Sequence, residues 1–355
     1  MSALKYPLNS LVSLGDYLRE QVAMITAEAS HSAGDPEFIA MMDRAEIANP
    51  WFTREQLLYA FGSWASLLTE EKLNAWLAPY AIGENKPEDQ KSIALVLAGN
   101  IPLVGFHDLL CVLCSGHRAL VRCASNDQVL LPFLADKLIS WDPEFASTIE
   151  FVSGTLEGQD AVIATGSNNT SRYFDYYFGK QPNIIRKNRN SLAVLEGAES
   201  SADLQGVAED IFRYFGMGCR SVSKIYVPEG YDFDSLFEAF YRFKDYINHP
   251  KYANNYDYNK AVYLMSGSKM LDNGFLLLKE DPGMGSPIGT LFYETYSDRD
   301  ALTNRLEGEA DSIQCVINGA STSNAIPFGQ SQLPGLSDYA DGVDTLKFLL
   351  DLRLN

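Results

Sequence analysis

A cysteine in a glycine turn between a helix and a strand is the part of this sequence best suited to chemistry. In residues 201–228, SADLQGVAEDIFRYFGMGCRSVSKIYVP, Cys219 follows Gly216 and Gly218. Glycines permit a tight backbone in which N–H groups face a substrate oxygen, and a thiolate presented there is a nucleophile. A lone cysteine is ordinarily a small buried hydrophobe. Cys219 is set apart by its turn and by polar or small residues gathered elsewhere at strand ends: Asn100 with Pro102, Arg122 with Ser125, and Thr165 with Gly166 and Ser167.

The elements that must position these residues follow from hydrophobic spacing. Leu204, Val207, Ile211 and Phe215, with Ala208 and Phe212 beside them, recur at helical intervals, and Ser200 with Asp203 reads as a capping box. The spacing therefore predicts a helix ending at Gly216 and Gly218, then a strand over Ser221–Val227 closed by Pro228. Residues 1–85 read as helical, and GENKPEDQK, residues 83–91, as a boundary. From Ser92 strands alternate with helices: IALVLAG, ALVRC, TIEFVSG and AVIATG are strand-like, with a helix over LVGFHDLLCVLCSG, one to about Ser140 and one over about 168–178. That alternation implies a parallel sheet with both faces covered and ligands at the C-terminal strand ends. No GxGxxG fingerprint is present. Beyond Cys219, SLFEAFYRFKDYI reads as a helix; NKAVYLM, FLLLKED, IGTLFYETY and SIQCVI read as strands.

The fold class is thus α/β, with four stretches: a helical N-terminal region (1–85), a Rossmann-type nucleotide-binding domain (86–200), an α/β catalytic domain (201–330), and a C-terminal segment (331–355) packing back on the cofactor domain or at an oligomer interface. With 46 acidic against 28 basic residues in 355, the formal charge is −18, which argues against nucleic acid and anionic membrane. No segment reads as a signal peptide or a membrane span. Five cysteines scattered through helix and strand patterns suit a reducing compartment, so the expected location is cytoplasmic. Cys111 and Cys114, near His117, lie in the apolar run LLCVLC and read as core packing; no metal is expected.

These residues together resemble the aldehyde dehydrogenase superfamily, and within it the LuxC family of acyl-CoA reductases, from about Ser92 to the C-terminus, with a weaker echo in NPWFT at Asn49–Thr53. AGNIP is similar to the loop whose Asn stabilises an oxyanion, which assigns Asn100. Arg122 occupies the place of a lysine that touches the adenosine ribose. ATGS, Ala164–Ser167, matches the helix-start motif beside the pyrophosphate. GMGC matches the nucleophile motif, which assigns Cys219. PFGQ, Pro327–Gln330, resembles a late Pro-Phe-Gly-Gly motif, and Glu294 in LFYETY falls near a glutamate that contacts the nicotinamide ribose. One departure stands out: where hydrolytic relatives carry a water-activating glutamate, the alignment puts Arg186 or Lys187.

The resemblance implies reduction of an acyl thioester, from acyl-CoA or an acylated partner protein, to the aldehyde. NADPH is the expected reductant, with NADH possible, and coenzyme A is the substrate's leaving group. Cys219 forms the acyl-enzyme, and Asn100 and the Cys219 N–H hold the oxyanion. Lacking the glutamate, the acyl-enzyme resists hydrolysis. The expected cofactor residues are Arg122, Ser125, Thr165, Gly166, Ser167 and Glu294, and the family implies a homo-oligomer. Two alternatives remain: a CoA-acylating aldehyde dehydrogenase running oxidatively, and a cofactor-free acyl carrier or acyltransferase acylated on Cys219. A purely structural partner-binding protein requires Asn100, the Thr-Gly-Ser turn and Cys219 to coincide by chance.

Overall fold

The computed structural model describes residues 7–28, 34–80, 90–166, 168–319 and 326–352. The chain forms two units: one runs to Lys187 and resumes at Gly335, and the other is Asn188–Pro334.

The first unit opens with helices α1 (Leu8–Glu28), α2 (Pro36–Ala48), α3 (Arg54–Leu67) and α4 (Glu70–Leu77). Asp35, Thr53 and Thr69 cap the last three, each side chain accepting a backbone N–H of the first turn. Then come β1 (Ser92–Val96), α5 (Phe106–Ser115), β2 (Arg118–Arg122), α6 (Leu130–Trp141), β3 (Ile149–Phe151), β4 (Ala161–Thr165), α7 (Asn168–Phe178) and β5 (Asn183–Arg186). The five strands are parallel in the order β3-β2-β1-β4-β5. Successive crossovers leave β1 in opposite directions, so a switch point lies between the C-terminal ends of β1 and β4.

Side-chain alternation along these strands sorts the two faces. Ile93, Leu95, Ala119, Val121, Ala161 and Ile163 join the large core formed with the helical layer. Ala94, Leu120, Val162 and Ala164 face the other way, toward Phe174 and Phe178. Cys111 and Cys114 pack inside the large core. The C-terminal helix Thr345–Asp351 buries Leu346 and Leu349 in that core, and its Leu349 carbonyl lies 3.0 Å from His117 Nε2. Each fully buried Leu stabilises by roughly 2 kcal/mol.

The second unit contains β6 (Asn190–Val194), α8 (Ser201–Phe212), β7 (Val222–Pro228), α9 (Asp234–Phe240), α10 (Pro250–Met265), β8 (Met270–Asp272), β9 (Leu277–Glu280), β10 (Thr290–Tyr296), α11 (Arg299–Gly308) and β11 (Ile313–Ile317). Its sheet has the order β11-β6-β7-β10-β9-β8, parallel except for the edge strand β8. Several elements differ from the sequence expectation, among them the edge strand β8 and helix α11, which it did not contain. NKAVYLM is the C-terminal half of α10 rather than a strand. That helix starts at Pro250, is capped by His249, and buries Tyr252, Tyr256 and Asn259 at i, i+4 and i+7. The strands β5 and β6 were not anticipated, being short and set around the polar run RKNRN. Among the described residues no helix is long and apolar enough to cross a membrane.

Candidate active site

The expected capping box is present at the start of α8: Asp203 N–H donates to Ser200 Oγ, and Ser200 N–H donates to Asp203 Oδ2 at 3.0 Å. The helix ends earlier than its apolar spacing predicts, at Phe212. Tyr214 (φ 55°) and Phe215 (φ 57°) both take the left-handed conformation, and Gly216 (φ 74°) continues it. A left-handed non-glycine residue costs about 1 kcal/mol or more. Ring packing offsets that cost. Phe215 is buried with its centroid 4.5 Å from Tyr246 and 4.8 Å from His249. The chain therefore turns sharply before the nucleophile instead of running on as helix.

Cys219 sits on the turn that follows, and hydrogen bonds hold the chain around it. Ser191 Oγ, from β6, donates to the Cys219 carbonyl at 2.9 Å. Gly218 N–H donates to Ser221 Oγ at 3.1 Å, and Ser221 N–H returns a bond to the Gly218 carbonyl at 2.9 Å. Arg220 Nε donates to the Ser331 carbonyl at 2.5 Å. Cys219 is the exposed member of the five cysteines; Cys111, Cys114 and Cys315 are buried and Cys123 is half-buried. Burial pushes the thiols of Cys114 and Cys123 up to about 12, which keeps them protonated at neutral pH. Cys219 is thus the most exposed of the chain's thiols.

In the first unit, Arg122, Ser125, Thr165 and Gly166 line one cleft at the C-terminal ends of β1, β2 and β4. The cleft encloses about 1260 Å³, more than the roughly 300–1,000 Å³ of a drug-sized ligand site, and so has room for a dinucleotide. A Cβ on Gly166 would come 3.0 Å from the side chains of Phe174 and Thr170, so a larger residue there needs those side chains to shift by a few tenths of an ångström. α7 begins directly after it, with the helix N-terminus that favours phosphate. Arg122 is exposed at the end of β2. Ser167 lies outside the described residues. The residues fit a dinucleotide phosphate and an adenosine at this cleft.

Asn100 is exposed on the loop joining β1 to α5. Two amides fix this loop through one carbonyl: Asn49 Nδ2 and Asn126 Nδ2 donate to Gly99 O at 3.0 and 2.9 Å. A Cβ on Gly99 would lie 2.4 Å from Asn126 Oδ1 and 2.8 Å from Ala124 Cβ. The weak NPWFT echo thus contains a residue, Asn49, that is buried and shapes the Asn100 loop.

Glu294, on β10, belongs to the second unit and is engaged by Lys224 and by Arg305, which bonds both carboxylate oxygens. Burial raises its carboxyl, but the hydrogen bonds from Arg305 and Lys224 outweigh this and hold it below the ordinary glutamate range. Arg186 ends β5 in the first unit and is buried, paired with Asp108 and donating to Thr345 Oγ1 at 2.9 Å. Of the two residues that the resemblance sets against the hydrolytic base, Arg186 or Lys187, Arg186 is therefore a cation committed to a carboxylate. Sequence reasoning missed Ser191 as a support of the nucleophile turn, because its contact with Cys219 spans 28 positions.

Comparisons with known proteins agree on a relationship. The acyl-CoA reductase (LuxC) family matches residues 49–238. Long-chain acyl-protein thioester reductase 2 of Photobacterium leiognathi is 25% identical over 199 residues, covering 51% of this chain and 41% of that protein. The match therefore spans about two-fifths of that relative's length. Aldehyde dehydrogenase 21 of Physcomitrella patens, in complex with the product succinate, superposes with a TM-score of 0.64 at 13% identity, covering 97% of this chain and 84% of that one. An aldehyde dehydrogenase of Mycobacterium tuberculosis complexed with NAD+ gives a TM-score of 0.59 at 13% identity, with 89% and 74% covered. The fold is that of the aldehyde dehydrogenases.

Proposed function

The chain belongs to the LuxC family of acyl-CoA reductases, and from that premise we propose that it reduces an acyl thioester to the aldehyde through an acyl-enzyme on Cys219. The observation that carries the reading is the exposed thiol on a hydrogen-bonded turn that follows the strained Tyr214–Phe215 bend, in a chain whose other cysteines are wholly or partly buried. In the first half-reaction the Cys219 sulfur bonds to the substrate carbonyl carbon, the donor's C–S bond breaks, and the donor thiol leaves with the proton that Cys219 gave up. The Asn100 carboxamide and the Cys219 N–H are assigned to the oxyanion of that step. Arg186, tied to Asp108, is no base for water, which supports an acyl-enzyme that persists until it is reduced.

The cleft of Arg122, Ser125, Thr165 and Gly166 is assigned to the reductant, with Arg122 toward a 2′-phosphate, which favours NADPH over NADH. Bound there, the dinucleotide supplies the hydride that converts the enzyme thioester to aldehyde and frees the thiol. Ser167 and Glu294 complete the assignment as positions to be tested. The similarity to a long-chain acyl-protein thioester reductase supports a long-chain acyl group carried by coenzyme A or by a protein. Five cysteines scattered through helix and strand patterns support a reducing, cytoplasmic setting.

The test is NADPH consumption with a panel of acyl-CoA thioesters, wild type beside Cys219→Ala, with the aldehyde identified by mass spectrometry. Aldehyde formation lost in the variant is the expected result. Undiminished turnover in Cys219→Ala would overturn the reading.

A further inference from the structure

The loop Pro327–Gln332, whose PFGQ stretch has no role in the chemistry above, packs against α8 and against the nucleophile turn, all within the second unit. Two residues one helical turn apart receive it. Gly206 admits the loop backbone so closely that a Cβ there would stand 2.8 Å from the Phe328 carbonyl carbon and 2.9 Å from Gly329 N. Asp210, buried on the same helix, accepts Gly329 N–H on Oδ2 at 2.7 Å and Ser331 N–H on Oδ1 at 2.9 Å. The loop's other side reaches both flanks of Cys219. Its Ser331 carbonyl accepts from Arg220 Nε, and Gln332 Nε2 donates to Ser221 Oγ at 3.2 Å, the same oxygen that accepts the Gly218 N–H.

We propose that Asp210 is a positioning residue for the nucleophile, its carboxylate holding the Pro327–Gln332 loop so that the loop fixes the backbone on either side of Cys219. The inference rests on Cys219 being the acylated residue. Alternate backbone N–H groups of an irregular loop, Gly329 and Ser331, converge on one buried carboxylate, and Ser331 and Gln332 of that loop, not Asp210 itself, touch the nucleophile turn. A helix acid serving only stability would have no reason to act through a segment with two separate attachments to Gly218–Ser221.

The experiment measures acylation of Cys219 by an acyl-CoA without reductant, following the adduct by intact mass, and compares it with alkylation by iodoacetamide. Acyl transfer needs the carbonyl oriented over the thiol, whereas alkylation by a small reagent needs only an accessible thiol. Asp210→Asn keeps the shape of the side chain but gives one N–H of the loop a donor in place of an acceptor. Its acylation is expected to fall roughly 10- to 100-fold, with alkylation within about threefold of wild type and a cooperative thermal transition retained. Wild-type acylation in a folded Asp210→Asn protein would overturn the proposal, and so would an equal loss of both reactions. Should Asp210→Asn not fold, Arg220→Met with Gln332→Leu cuts the loop's two attachments to the turn and leaves Asp210 in place; the same selective loss of acylation is expected, and normal acylation refutes the proposal. Absence of any adduct on wild-type Cys219 would instead remove the acyl-enzyme reading, and this inference with it.

Discussion

Replacing Arg186 by glutamate puts a carboxylate at one of the two positions, Arg186 or Lys187, that the resemblance sets against the base of hydrolytic aldehyde dehydrogenases, and the expected result is an unstable first unit rather than a thioester hydrolase. The Arg186 and Asp108 side chains are 6% and 5% exposed, and no other cation is bonded to Asp108 among the contacts of the described residues. Removing one partner of a buried ion pair costs about 3–5 kcal/mol. A second carboxylate beside Asp108 forces one of the two to take up a proton, which adds on the order of 3 kcal/mol near neutral pH. The Thr345 bond that ties β5 to the C-terminal helix goes as well. Against a typical domain stability of about 5–15 kcal/mol, the variant should be largely unfolded or marginal. All four tryptophans, Trp51, Trp64, Trp76 and Trp141, lie in the first unit, so urea unfolding followed by tryptophan fluorescence reports on it directly. Asp108→Leu with Arg186→Met is the companion, expected within about 2 kcal/mol of wild type because an apolar pair replaces the charges without stranding one. An Arg186→Glu protein with a wild-type urea midpoint would refute the reasoning, as would one that hydrolyses its acyl-enzyme.

Two further outcomes follow from the loops. Gly99→Ala forces a methyl group to within 2.4 Å of Asn126 Oδ1 and so breaks the amide bond that holds the Gly99 carbonyl; a loss of about 1–3 kcal/mol in stability and a fall in acylation of about tenfold are expected, while unchanged acylation would separate the Asn100 loop from the reaction. Burial raises the Asp210 carboxyl to about 6 although the side chain and N–H of Ser331 and the N–H of Gly329 pull it down. The folded protein then binds this proton more tightly than the unfolded chain, so the group's contribution is full below about pH 4 and is lost as pH rises through about 6. Relative to Asp210→Asn, wild type should gain about 1 kcal/mol of unfolding free energy between about pH 7.5 and about pH 5.5; parallel urea titrations of the two proteins across that window would contradict this.

What could be read from the sequence was what local spacing encodes. The runs IALV, ALVR and AVIAT are apolar enough to be central parallel strands, and the capping box of Ser200 and Asp203 marks α8 unambiguously. Cys219 was legible because two glycines, Gly216 and Gly218, lead into it. The left-handed Tyr214 and Phe215 were not, since bulky residues avoid that conformation unless packing with rings as distant as Tyr246 and His249 compels it. Arg186 offered a cation at an aligned position, but its partner Asp108 is 78 residues away. Asp210 read as one more polar position on an amphipathic helix; only the return of the chain 119 residues later gives its carboxylate something to hold.

The first unit is closed by a segment that the chain reaches only after the whole of Asn188–Pro334 has been laid down. At roughly 5–20 residues per second, a ribosome takes on the order of 10–30 s to traverse that intervening stretch. During this interval the core that receives Leu346 and Leu349 lacks its last helix, Arg186 has no Thr345, and the His117 ring has no Leu349 carbonyl. The second unit, continuous in sequence, is complete before the first. Nascent chains of this protein therefore carry an open apolar groove on their N-terminal half late into synthesis, and that groove is where holding chaperones should engage them.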